Sequence, residues 1–155
     1  MDAKTYTRLS VMMFLEFFVW GAWFVTLGTY LGKGAGFTNS QIGYAFLMNN
    51  IAAIISPFFI GMIADRFFAS QKVMGALHLL GAVILYLFAD VTTVGSLIFG
   101  LLLYNLSYMP TLALVNNISF HQMETPDSQF PKVRVWGTIG WIAAGLSISV
   151  ILGKF

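Results

Sequence analysis

The chain has 155 residues, 58% of them hydrophobic, only 9% charged, and a net charge of +2. An ordinary soluble domain carries roughly 25% charged residues, so the composition excludes a soluble globular domain and places the chain in a bilayer. The small net charge gives no ground for a nucleic-acid partner, and the lack of cysteine removes disulfides, thiolate chemistry and Cys-based metal sites.

The N-terminal segment MDAKTYTRLS places Lys4 and Arg8 ahead of a first apolar stretch at 9–31. That stretch outruns the roughly 7–15 residues of a signal-peptide core and no A-x-A cleavage pattern follows, so it reads as a retained first span. Glu16 sits about two turns inside it. A carboxylate at such depth costs about 2.5–3.5 kcal/mol on insertion scales and must face protein or a water-filled cavity. Glu16, Trp20, Trp23 and Tyr30 fall near one helix face. A carboxylate desolvated among aromatics suits a proton-coupling group; an inert interhelical hydrogen bond or ion pair is the structural alternative.

Glycines and polar residues in GKGAGFTNSQ (32–41) mark a loop. A second apolar stretch covers 42–64, with Asn49 and Asn50 as interhelical hydrogen-bonders, and ends at DRFFASQK. The third, 73–89, carries a lone His78, more simply a bundle hydrogen-bonder than a proton relay. The fourth, 96–120, is polar for a membrane helix: Asn105, Tyr108, Leu112, Asn116 and Ser119 follow 3–4 spacing beside Pro110, which removes one backbone bond. A polar stripe beside a kink suits a hydrophilic solute pathway, the alternative being that Asn and Ser glue helices together.

HQMETPDSQFPKVR reads as the longest polar connection, with His121 at a helix end, and leads to a fifth stretch at 135–153. On that helix Arg134, Thr138, Trp141 and Gly145 share one face: a guanidinium fork, a hydroxyl and an aromatic plate, tools for binding a planar polar ligand. Snorkelling of Arg134 to the cytoplasmic surface is the competing reading. Gly137, Gly140, Ala144 and Ser147 form a neighbouring small-residue face suited to close helix packing.

The stretches must be helices, because each is long enough to cross about 30 Å at about 1.5 Å per residue and nothing alternates as a barrel strand would. The predicted fold is an all-α membrane protein of about five transmembrane helices. With the N-terminus cytoplasmic, the inner segments hold Lys4, Arg8, Arg66, Lys72, Lys132 and Arg134 and the outer ones only Lys33 and Lys154, as the positive-inside rule requires. The fifth span ends almost at the last residue, which suggests the front part of a longer transporter. No metal-ligand cluster, nucleophile–base pair or phosphate loop is visible, and no cofactor or enzymatic role is implied.

The turn GMIADRFFASQK (61–72), with Gly61, Asp65, Arg66 and Lys72, resembles the loop between helices two and three of the major facilitator superfamily. There the glycine permits close helix approach and the aspartate latches the cytoplasmic side as part of the gate. Phe68 and Ala69 stand where a second glycine and a basic residue are usual. VWGAWFVTLGTYL (19–31), YMPTLALVNNISF (108–120) and FPKVRVWGTIGW (130–141) are similar to the corresponding helices of the nucleoside:proton symporters within that superfamily.

The resemblance implies proton-coupled nucleoside uptake across a bacterial cytoplasmic membrane by alternating access, with nucleoside, protons and the lipid bilayer as partners. It implies nucleoside contacts at Arg134, Thr138 and Trp141, the last often phenylalanine in the family, while Asn105, Tyr108 and Asn116 line the pathway by their own pattern. Glu16 stands where relatives carry an amide, so its proton role is particular to this chain. The family has twelve helices in two halves, so the chain is expected to be an N-terminal portion without helix six and the C-terminal bundle. A transporter of another polar solute such as a sugar, and a small oligomeric membrane scaffold, are the alternatives.

Overall fold

A computed structural model describes the backbone of residues 1–66, 69–90 and 93–152, and the side chains of all of these except 57, 59–66 and 152. The described residues form five long helices: α1 (Ala3–Thr29), α2 (Asn39–Arg66), α3 (Ser70–Leu87), α4 (Val94–His121) and α5 (Pro126–Leu152). A wider π-type turn, Tyr30–Gly34, prolongs α1.

Local chemistry sets the helix ends. The Asp2 carboxylate accepts from Thr5 N at 2.8 Å and caps α1. Thr38 and Gln41 form a reciprocal capping box ahead of α2, with Thr38 N donating to Gln41 Oε1 at 2.8 Å and Gln41 N to Thr38 Oγ1 at 3.4 Å. Gly36 takes the left-handed conformation, φ 69°, in the loop between α1 and α2. Helix α5 starts at Pro126, well before the apolar stretch. Proline at the first helical position loses no intrahelical bond, and Ser128 Oγ donates back to Thr125 Oγ1 at 3.0 Å, so most of the polar connection is helix. Arg134 therefore lies about 12 Å along α5 from its start rather than at its opening turn.

Among the described residues, four helices are long and apolar enough to cross a membrane: α1 with its extension, α3, α4 and α5. Helix α2 has 28 residues and covers the predicted 42–64 span, with part of its side chains outside the described set. The side-chain distribution suits a lipid solvent. Leu79, Tyr86 and Leu87 on α3 and Ile142, Leu146 and Val150 on α5 are exposed, while Asn105, Thr111, Ser107 and Ser119 on α4 are buried. Of the apolar window of α4, 61% is buried, against 17% for α1 and for α5 and 6% for α3, so α4 is the most enclosed of these helices.

The chain divides into two compact units, Met1–Tyr30 with Val115–Phe155, and Leu31–Leu114. In the first, α1 packs along α5. The close approach depends on glycine. A Cβ on Gly140 would run into the main-chain carbonyl of Phe14, and one on Gly21 would lie 2.9 Å from Trp141 O and 3.1 Å from Ala144 Cβ. Gly137, Gly140 and Ala144 thus form the predicted small-residue face, whereas Ser147 is exposed and donates to Ala143 O at 2.7 Å. At the N-terminal end the Met1 ammonium pairs with Glu124 at 3.1 Å. Trp136 Nε1 donates to Tyr6 OH at 3.1 Å, and that hydroxyl donates to Lys132 O at 3.4 Å. In the second unit α2 touches α3, and Gly81 of α3 lies against the Tyr104 ring of α4.

Candidate solute site

Helix α5 carries Arg134, Thr138 and Trp141 on one face, spread over about 10 Å of helix. Thr138 is exposed, and Arg134 and Trp141 are half-buried. The two larger side chains rest on aromatic rings of α1. Arg134 Cζ lies 4.1 Å from the centre of the Phe17 ring, a cation–π contact. Trp141 meets Trp20 edge to face, with centroids 4.9 Å apart and planes at 87°, and also touches Phe24 at 5.8 Å. Trp20 packs in turn on Phe17 at 6.2 Å and on Phe24 at 5.6 Å. Phe17, Trp20 and Phe24, at i, i+3 and i+7, form a ladder under Arg134 and Trp141, themselves seven residues apart.

The expected α1 face of Glu16, Trp20, Trp23 and Tyr30 is only partly the one in use. Glu16 is 1% exposed, at a depth that demands protein or ordered water around it. Trp20 joins the ladder. Trp23 packs beside Phe24 at 5.6 Å, and Tyr30 lies exposed in the π-type turn. Phe17 and Phe24 lie beside the expected Glu16–Trp20 face, and apolar residues crowd α1 there, so spacing alone does not single them out. The Trp20 position together with the glycine at 21 could have pointed to the contacting face.

The α4 stripe behaves differently. Asn105 is fully buried and its Nδ2 donates to Leu101 O at 2.7 Å; Ser119 donates to Val115 O at 2.7 Å. Tyr108 is buried, stacked on Tyr104 at 5.8 Å and edge-on to His78 at 5.9 Å. Asn116 is half-buried, and its Oδ1, like that of Asn105, has no hydrogen-bond partner among the described residues. Asn49 is buried and Asn50 exposed. Of the gating-loop residues, Gly61, Asp65 and Arg66 belong to the last turns of α2 but their side chains lie outside the described set; Lys72 is exposed in the first turn of α3. Among the described residues no group of three or more His, Cys, Asp or Glu side chains is placed to hold a metal ion.

A cavity of about 210 Å³ lies elsewhere, between Tyr6, Thr7, Ser10, Val11 and Phe14 of α1 and Trp136 of α5, and is almost wholly apolar. Its apolar lining offers little to a hydrophilic solute.

The sequence model of the nucleoside H+ symporter family matches residues 3–154. The chain is 49% identical over 144 residues to the putative nucleoside transporter YegT of Escherichia coli K12, covering 93% of this chain and 34% of that protein. It is 36% identical over 148 residues to the xanthosine permease of the same strain, covering 93% and 35%. The crystal structure of a mutant of the nucleoside transporter NupG superposes with a TM-score of 0.91 at 34% identity, over 94% of this chain and 37% of that one. The chain thus spans about a third of the length of the relatives it matches. Matched almost end to end, it belongs to the nucleoside H+ symporter family, a family of transporters.

Proposed function

We propose that the chain contributes the Arg134 face to a proton-coupled nucleoside transporter of a bacterial cytoplasmic membrane, with its N-terminus on the cytoplasmic side, and that it acts together with the segments by which its relatives exceed it in length. The observation that carries this reading is the α5 face itself: a guanidinium seated on Phe17, an exposed Thr138 hydroxyl and an indole braced by Trp20 and Phe24. Arg134 and Thr138 hydrogen-bond the ribose hydroxyls or base edge, and Trp141 stacks on the base. Asn105, Tyr108 and Asn116 are the proposed pathway-lining residues of α4, and Asn116 Oδ1 offers an acceptor. Glu16 takes up the coupled proton from its buried position, and Gly61, Asp65, Arg66 and Lys72 form the cytoplasmic gate.

Alternating access needs two bundles rocking about a midplane site. The test is therefore uptake of labelled uridine by nucleoside-transport-deficient cells, comparing this chain with the complete reading frame that carries it, each with and without a protonophore. Protonophore-sensitive uptake by the longer form alone is the expected result. No uptake by either, with both shown in the membrane, removes uridine as the substrate.

A further inference from the structure

We propose that Phe17 and Gly137 are positioning residues for Arg134: the ring on α1 and the missing side chain on α5 together hold the guanidinium in one orientation for a planar, hydroxyl-bearing ligand. The proposal rests on the nucleoside-binding reading of Arg134 for its consequence and on geometry alone for its existence.

A half-exposed arginine is rich in rotamers, and ordering it on binding weakens affinity. Arg134 is seated on a ring before any ligand binds, with Cζ 4.1 Å from the Phe17 centroid. The seat exists because residue 137 has no side chain. A Cβ there would lie 2.7 Å from Arg134 Nη1 and 2.7 Å from Phe17 Cδ2, closer than real Cβ contacts come. Both obstructing atoms belong to side chains, a terminal guanidinium nitrogen and a ring-edge carbon, and neither is main chain. An added methyl is therefore relieved by pushing the guanidinium off the ring, leaving the helix pair together.

Gly140, one turn further along α5, meets the main chain of Phe14, which cannot rotate away. The two glycines thus have separable roles. Gly140 sets how close the helices come, and Gly137 leaves space for the guanidinium. The α1 ladder extends the same logic to the other end of the face, where Trp20 and Phe24 brace Trp141.

Two readouts test this. In the ¹⁵N-arginine-labelled chain in detergent, Arg8, Arg66 and Arg134 are the arginines, and Arg134→Lys assigns the Arg134 side-chain resonance. That Nε–H proton should carry an upfield ring-current displacement in the native chain. Phe17→Tyr should keep it, and Phe17→Leu and Gly137→Ala should lose it. In the complete transporter, Phe17→Leu and Gly137→Ala should raise the KM for uridine about tenfold at unchanged maximal rate per molecule in the membrane, with Phe17→Tyr near native.

An Arg134 resonance identical in the native chain, Phe17→Leu and Gly137→Ala overturns the clamp, whatever is transported. A displaced resonance with an unchanged KM overturns the positioning role. A native transporter that takes up no nucleoside defeats the nucleoside reading instead, and the resonance result still decides the clamp.

Discussion

On α4, Asn105 donates to Leu101 O, Ser107 to Leu103 O, Thr111 to Tyr108 O and Ser119 to Val115 O, each reaching back three or four residues along its own helix. On α5, Thr138 is exposed and Arg134 rests on a ring contributed by α1. Both helices carry polar side chains through an apolar solvent. The first ties these four to its own backbone, where they cost little, and leaves the Asn105 and Asn116 Oδ1 atoms without a hydrogen-bond partner among the described residues. The second leaves Thr138 exposed and seats Arg134 by contact with a neighbouring helix. A polar helix in a membrane is therefore not by itself a solute pathway; what matters is whether its polar atoms are already engaged.

The comparison can be broken most severely at the α1–α5 contact. Gly140→Leu should lower thermal stability in detergent by about 3 kcal/mol, because its side chain overlaps the Phe14 main chain. The same change at Gly145, which has open space around it, should be nearly neutral. Equal effects at both positions would mean that close packing at Gly140 does not hold the pair together.

Next in size is the chemistry of the α5 face. Arg134→Ala in the complete transporter should reduce kcat/KM for nucleoside uptake about 30-fold, the value of a charged hydrogen bond of about 2 kcal/mol. Lys132→Ala, at an exposed position, should stay within about twofold. Small, equal losses in both would favour a surface anchor. Glu16→Gln should abolish accumulation against a gradient while leaving nucleoside exchange intact, read by counterflow assays. If accumulation survives, the buried carboxylate does not carry the proton.

On α4 the expected effect is smaller. Asn105→Leu removes a hydrogen bond to its own helix and should shift stability by less than about 1 kcal/mol, which sharpens the contrast with Gly140.

The smallest effect lies at Asp2. The Thr5 hydroxyl, and then the Thr5 backbone N–H, hold its carboxyl below the ordinary aspartate range. A carboxyl with a depressed folded-state pKa stabilises above its unfolded value, and that contribution fades as pH falls through the lower folded value. Asp2→Ala should therefore fray the start of α1 slightly at neutral pH, with the difference from native vanishing in strong acid. Circular dichroism of the two chains across that range checks the sign.

Much of the helix content was legible in advance because the bilayer leaves the backbone one solution over long apolar stretches. The predicted stretches at 9–31, 42–64, 73–89 and 96–120 each fall within or nearly within one described helix. The start of α5 was misplaced because HQMETPDSQFPKVR is polar, and polarity was read as loop; Pro126 and the Thr125–Ser128 turn begin a helix there regardless. The small-residue face of α5 was legible from spacing. Its partner on α1 was not, since Phe14, Phe17, Trp20, Gly21 and Phe24 lie in a stretch where apolar residues outnumber the polar ones that would mark a face.

By itself, the sequence determined the solvent, the helices and the shared face of Arg134, Thr138 and Trp141, because composition, span length and helical periodicity are properties of one segment at a time. Only the tertiary structure decided which polar groups remain open and what orders them. Whether a hydroxyl or amide is engaged depends on where its own helix turns it, and whether a guanidinium is held depends on a ring more than a hundred residues away reaching it across a glycine.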